Sequence, residues 1–397
     1  MVSCPRLAIR VICLNLKLLI LMKVALIHDW LVGMRGGEKC LEVFCELYPE
    51  ADLYTLVYAP ESISATIRRM NVRASWINRL PSAHKYFRYL LPLFPLAVEQ
   101  LDLGAYDLIL SSSHCVAKGV FPHRALHLAY THSPMRYVWD LHDAYLAGSN
   151  GTLINRAGLA LFRSYLQRWD VRSAARVDSF IANSSNIAAK IEQIYGRTAK
   201  VIYPPVDIER FHIDREVRPF YLVVSALVPY KRIDIAVQAF NALKLPLKIV
   251  GMGPLRDSLQ RQANANIEFL GWLDDDRLAK VYAACQAFIF PGVEDFGIAP
   301  LEAQASGRPV IALKRGGLLE TVVGLDPSSS AGNPTGIFFD EQNVASLISA
   351  VRLFEQNKDR FAADTIREHA SRFGRGRFKR EIAEHIEACL RQYRSGS

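Results

Sequence analysis

The sequence predicts an α/β protein made of two doubly wound domains, each a parallel sheet covered by helices. Three observations carry that prediction. Short apolar runs alternate with helical spacing along most of the 397 residues. The runs are continuous and rich in Val, Ile, Leu and Phe, as strands covered on both faces must be. The alternation breaks once, at Tyr203-Pro204-Pro205-Val206-Asp207, where two prolines fix an extended backbone and bar a helix.

The candidate strands are, in order, Lys23–His28, Asp107–Ser111, His127–Thr131, Ser179–Ala182, Lys200–Tyr203, Phe220–Leu227, Leu247–Gly251, Ile267–Leu270, Ala287–Phe290, Pro309–Leu313 and Gly336–Phe339. They divide into a domain over 22–203, a linker over 204–218 and a second domain over 219–375. A last helix over 376–397 carries Phe378, Ile382, Ile386, Leu390 and Tyr393 on one stripe. That stripe must pack on its own domain or back across the linker on the first. Residues 1–21 hold an apolar stretch broken by Asn15 and Lys17, with no small-residue cleavage site after it. They are expected to be a poorly structured extension, with a weak membrane anchor as the other reading.

Composition sets further bounds. Half the residues are hydrophobic and 22% are charged, which excludes collagen-like, mucin-like and mainly disordered chains. No apolar run reaches the 18 or so residues of a membrane span. The net charge of +9 favours anionic partners: nucleotides, nucleic acid or an acidic lipid surface. Seven scattered cysteines without C-x-x-C spacing fit reduced thiols in a cytoplasmic protein.

Open α/β sheets bind ligands beyond the carboxyl ends of their strands. The richest such place follows Ala287–Phe290, in the run Pro291-Gly292-Val293-Glu294-Asp295-Phe296-Gly297-Ile298-Ala299-Pro300-Leu301-Glu302. A strand ends, a glycine loop carries an acid, and Pro300 marks a helix start with Glu302 in its first turn. Free amides at that start suit a phosphate, and the two carboxylates suit pairs of hydroxyls.

Glu294 and Glu302, with seven residues between them in EDFGIAPLEAQASGRPVIA, resemble the EX7E signature of retaining family-4 glycosyltransferases. Gly316-Gly317-Leu318-Leu319-Glu320, Val224-Ser225-Ala226-Leu227-Val228-Pro229-Tyr230-Lys231-Arg232, Leu247-Lys248-Ile249-Val250-Gly251-Met252-Gly253 and Phe269-Leu270-Gly271-Trp272-Leu273 resemble further motifs of that family, in its order. Near the start, His28-Asp29-Trp30 and Gly33-Met34-Arg35-Gly36-Gly37-Glu38 resemble its first strand and glycine-rich donor loop. Tyr130-Thr131-His132-Ser133-Pro134-Met135-Arg136-Tyr137 and Tyr203-Pro204-Pro205-Val206-Asp207 look like the branch that builds bacterial polysaccharide and O-antigen, often with mannose.

The resemblance implies a GT-B architecture, two Rossmann-like domains facing a central cleft. It implies that Glu294 touches the transferred sugar, Glu302 the ribose, and Lys231 with Arg232 the donor diphosphate. Gly36, Gly37, Phe296, Gly297 and Ile298 would present main-chain groups to the donor. Trp272 would lie by the base, and His132 near the reacting centre. Asp29 and Asn183 would orient an acceptor. The sequence departs from the family at Ala226, where many members carry Arg; adjacent Arg232 is the expected substitute.

The expected activity is transfer of a hexose, in the first instance mannose, from a GDP- or UDP-linked donor to a lipid-linked or growing saccharide, with no cofactor and no metal. Asp274-Asp275-Asp276 has an acidic spacing of the metal-holding kind, but its position favours an N-cap. The run over 68–88 has six Lys or Arg and no acid, with aromatics interspersed, and Tyr89–Leu96 follows. It suits an anionic membrane surface on the cytoplasmic side, or a solvated basic loop; no nucleic-acid module accompanies it. A sugar-nucleotide epimerase and a non-catalytic sugar-nucleotide-binding protein are the rival readings. Gly33–Gly37 has the wrong spacing for a dinucleotide fingerprint.

Overall fold

The computed structural model describes residues 22–139, 153–328 and 332–395. The expectations for 1–21 lie outside the described residues. Among the described residues thirteen strands form two wholly parallel sheets. The first holds seven, in the order β3-β2-β1-β4-β5-β6-β7. They are β1 Val24–His28, β2 Asp52–Thr55, β3 Asn71–Ala74, β4 Leu108–Ser113, β5 Leu126–Thr131, β6 Ser179–Ala182 and β7 Ala199–Val201. The second holds six, in the order β10-β9-β8-β11-β12-β13. They are β8 Tyr221–Val224, β9 Leu247–Val250, β10 Ile267–Gly271, β11 Ala287–Phe290, β12 Val310–Leu313 and β13 Gly336–Phe339. Each order reverses beside its first strand, and a crevice opens at such a reversal, at the carboxyl ends of the strands.

The helices that matter below are α1 Gly36–Leu47, α2 Leu153–Ser173, α3 Ser185–Tyr195, α4 Ile233–Leu243, α5 Asp275–Ala284, α6 Ile298–Ala305, α7 Val344–Gln356, α8 Ala363–Ser371 and α9 Arg375–Ser395. Local chemistry starts them. Ser184 Oγ accepts from Ile187 N at 3.1 Å and opens α3; Asp274 Oδ1 accepts from Arg277 N at 2.9 Å and opens α5. Asp274 is thus the N-cap that its position indicated.

Strand alternation sorts the apolar side chains between two faces of each sheet. In the first sheet Leu26, Leu53, Leu108 and Leu128 pack under α1 and α9, while Ile27, Tyr54 and Ile109 face the other core. In the second, Tyr221, Val223, Ile249 and Ile289 pack with α4 and α7, and Leu222, Phe288 and Phe290 pack with α5 and α6.

The last helix crosses back. Phe378, Ile382, Ile386 and Leu390 lie in the core of the first domain, and the Phe378 ring stands 5.9 Å from Phe44. Arg375 pairs with Glu46 at 2.6 Å on α1. The chain therefore passes between domains twice. The two passages run side by side, Val206 N donating to Phe373 O at 3.0 Å.

Three expectations change. β2 and β3 have no counterpart among the sequence candidates, because each is four residues with one apolar pair or less in a row. The strand read over Phe220–Leu227 stops at Val224; the remainder is the loop carrying Ala226. The stretch over 204–218 is no free linker, since Val206, Ile208 and Phe211 are buried in the second domain's core.

Candidate active site

The cleft lies between the carboxyl ends of the two sheets. Helix α1 begins there from the first domain and α6 from the second, so two helix N-termini, with their free amides and partial positive charge, face each other. They approach closely. A Cβ on Gly36 would stand 2.6 Å from Ile298 Cδ1, so Gly36 and Ile298, both expected at the donor, touch across the cleft. Gly297 opens α6 with φ +96, a left-handed conformation that glycine adopts without strain. The Phe296 side chain is buried and stacks on Tyr203, centroids 5.6 Å apart; only its main chain faces the loop. Glu302 is the fifth residue of α6, in the second turn and not the first.

Lys231 follows β8 and Glu294 follows β11, the neighbouring strand, and their charged ends meet. Burial pulls the Lys231 ammonium down to about 7; the Arg136 charge adds to that and Asp295 opposes it. The Glu294 carboxylate in contact with it also favours the charged form. Arg232 departs from expectation. It sits at φ 53 and its guanidinium forks onto Asp234, at 3.1 Å from each of two atoms, on its own helix. It is tied locally and does not join Lys231.

A different cation does. Arg136, on a short helix Arg136–Trp139 just beyond β5, bridges the cleft to Asp295 Oδ2. Lys190 on α3 pairs with Asp295 Oδ1 at 3.2 Å, and Asn186 Nδ2 donates to the same oxygen at 3.4 Å. Two further carboxylates link the domains. Glu302 Oε1 meets Lys39 Nζ at 3.3 Å, while its Oε2 accepts from Tyr282 Oη at 3.1 Å. Glu320 accepts from Ser185 N at 2.7 Å and Asn186 N at 3.0 Å, which caps α3 from the opposite domain. Arg136, Asp295, Lys39 and Glu320 were not among the sequence candidates.

His132 lies on this cleft. Its Nε2 is 2.9 Å from Ser112 Oγ and its ring lies against Gly37, whose Cβ would be 3.5 Å from Nε2. Burial, with His114, His28 and Arg136 nearby, holds its pKa well below the usual histidine range; Asp29 pulls weakly the other way. Burial thus favours the neutral imidazole. Asn183 Nδ2 donates to His132 O at 3.0 Å and Asn183 is 6% exposed. It steadies the histidine loop from behind.

Asp29 is 0% exposed. Its carboxylate accepts four main-chain bonds, from His114 at 2.7 Å, Cys115 at 3.0 Å, Val116 at 2.6 Å and Ala117 at 2.8 Å. Those bonds consume its acceptor capacity and anchor the loop after β4, so it has no free face for an acceptor. Trp272 is 75% exposed directly beyond β10, the edge strand.

Comparison with known proteins identifies the family and the fold. Residues 34–210 match Glycosyltransferase Family 4 and residues 207–375 match Glycosyl transferases group 1, so the two matches meet where the chain crosses between domains. The solved structure of Anabaena HepE in complex with UDP and glucose superposes with TM-score 0.66 at 20% identity, over 92% of this chain and 99% of that one. The two parallel-sheet domains and their cleft are the GT-B architecture. The chain belongs to the family-4-like glycosyltransferases. A GDP-mannose-dependent alpha-(1-6)-phosphatidylinositol monomannoside mannosyltransferase of Mycobacterium tuberculosis is 30% identical over 250 residues, 55% of this chain and 62% of that protein. O-antigen chain mannosyltransferase C of Escherichia coli is 29% identical over 163 residues, 36% of this chain and 44% of that protein. The chain thus spans about three fifths or less of these curated relatives.

Proposed function

We propose that this chain is a retaining, metal-independent hexosyltransferase that moves mannose from GDP-mannose to a lipid-linked or growing saccharide. The observation that carries the reading is the meeting of Lys231, Glu294, Arg136 and Asp295 beside two opposed helix N-termini in one cleft. A nucleotide sugar breaks its glycosidic bond by loading negative charge on the leaving diphosphate. Fixed cations and helix amides stabilise that charge as it grows. Lys231 supplies a point charge. Glu294, held against it, is placed to accept from sugar hydroxyls, and Glu302 from the ribose. Neutral His132 faces the same space with a ring nitrogen that can bond a hydroxyl or carbonyl. Mannose and GDP are favoured because two relatives are named as mannosyltransferases, one of them GDP-mannose-dependent. The retained configuration rests on the EX7E resemblance.

The acceptor reading draws on the first domain's surface. Among the described residues no helix is long and apolar enough to cross a membrane. Tyr86, Tyr89 and Leu96 are 56%, 84% and 49% exposed, beside exposed Arg79, Lys85 and Arg88. Phe87 and Phe94 turn inward onto Trp30 instead. Cations beside outward aromatic and aliphatic side chains suit an anionic leaflet, each cation adding about 1 kcal/mol. Cosedimentation with vesicles of anionic lipid, lost in Tyr89→Ser with Arg88→Ser, supports peripheral attachment. Equal recovery on neutral lipid removes it.

Radiolabelled GDP-mannose tests the reaction. Label passing to an added saccharide acceptor, with the anomeric configuration of the donor, supports the proposal, and Glu294→Ala should abolish it. Label returning as free isomerised sugar, or a donor left intact with every acceptor, rejects it.

A further inference from the structure

We infer that Arg136 is a diphosphate-binding residue contributed by the first domain, and that the Asp295 carboxylate holds the position a phosphate would take on it. The inference rests on the reading of the cleft as a nucleotide-sugar site and deepens it.

The second domain brings Lys231 to the cleft, and the cation that acts on it there is Arg136. Arg232 is committed to Asp234, and position 226 is an alanine. Arg136 comes from the opposite wall. It sits four residues beyond His132, and its charge acts on both Lys231 and His132. Its partner is not incidental to the loop. Glu294 and Asp295 are consecutive, and they hold Lys231 and Arg136 in turn. Two adjacent anionic groups thus bind two cations drawn from opposite domains. A diphosphate presents the same pattern of neighbouring anions.

Guanidinium geometry supports the exchange. Arg offers a planar fork that fits carboxylate and phosphate alike. Only Oδ2 of Asp295 takes Arg136; Oδ1 takes Lys190 and Asn186. Asp295 therefore keeps its ties to α3 when Arg136 turns to phosphate. The site then has a cation on each wall, and binding the diphosphate joins the walls. A lone Lys231 would hold the leaving group from one side only.

The two partners of this pair must respond with opposite sign. Calorimetric titration of the full chain with GDP, GMP, UDP and UMP reads it out. Arg136→Ala should weaken the diphosphate by about 10- to 100-fold, the worth of a charge-assisted bond, and leave the monophosphate nearly unchanged. Arg136→Lys should recover part of the loss. Asp295→Asn should bind the diphosphate more tightly, because a competing carboxylate is gone. Equal diphosphate binding by wild type and Arg136→Ala overturns the assignment. So does equal weakening of mono- and diphosphate by both variants, which marks a latch between domains and nothing more. Wild-type chain that binds none of the four nucleotides contradicts the nucleotide-sugar reading itself, a distinct failure.

Discussion

Lys231 and Glu294 extend from adjacent parallel strands, β8 and β11, and meet as an ion pair in the cleft. The pair fixes the sign of a pH dependence. The Lys231 ammonium, ordinarily at 10.5, is drawn down to about 7, chiefly by burial. Donor binding needs the ammonium, so kcat/KM for the donor should fall as pH rises through about 7. Lys231→Arg keeps its charge at every working pH and should erase that limb, whatever its absolute rate. Glu294→Gln removes the acid that favours the charged form and should move the limb of donor binding to lower pH. A limb that stays fixed in both variants assigns it to another group.

The same shift bears on stability. The unfolded chain holds the Lys231 proton up to its ordinary 10.5, while the folded chain releases it near 7. Between those values the unfolded state binds more protons, so this group's contribution to stability rises with pH across that window and is lost as pH falls through it. Lys231→Met should flatten the slope of the urea midpoint between pH 7 and 10. An unchanged slope refutes the shift.

Asp29 should behave as a structural residue. Asp29→Ala strands four main-chain donors in a fully buried place. The expected cost is about 3–5 kcal/mol, read as a lower urea midpoint. A normal midpoint with a raised acceptor KM would return Asp29 to the acceptor.

Two glycines should differ. Gly297→Ala forces a left-handed φ of +96 on a side chain and brings its Cβ within 2.9 Å of Leu318 Cδ1. It should cost about 1–3 kcal/mol and loosen the start of α6. Gly36→Ala meets only the tip of Ile298, at 2.6 Å. It should leave the thermal midpoint nearly unchanged while weakening donor binding, since the two helix ends must move apart. The reverse ranking of midpoints would show that the glycine loop, and not α6, carries the strain.

The C-terminal helix should stabilise the first domain. Phe378 is wholly buried there, against Phe44 and Tyr130. Phe378→Ala should cost about 3–5 kcal/mol. Hydrogen exchange should show the loss in β1, β4 and β5 before the second sheet. Loss confined to β8–β13 would contradict this packing.

Much of the fold was legible because buried parallel strands announce themselves as unbroken apolar runs. β4, β5, β11 and β12 are covered on both faces and were read within a residue or two. β3 was not, because an edge strand spelled Asn-Val-Arg-Ala with three exposed residues leaves no such run. In the site, Lys231, Glu294 and Glu302 carried a spacing that can be seen in one dimension. Arg136 and Asp295 did not: they are 159 residues apart, and only folding makes them neighbours. Asp29 misled because a strand-end carboxylate looks alike whether it faces a ligand or a turn of its own chain. Arg232 misled because sequence adjacency to Lys231 says nothing of direction, and its left-handed backbone turns it to Asp234.

Thermal denaturation of the full chain with GDP, UDP, ADP and their sugars tests the central claim most directly. A nucleotide that binds only the folded protein raises its midpoint, by an amount set by concentration over Kd. The midpoint should rise with a guanosine or uridine diphosphate sugar, and the rise should be lost in Lys231→Ala. No rise with any nucleotide, or the same rise in Lys231→Ala as in wild type, would contradict it.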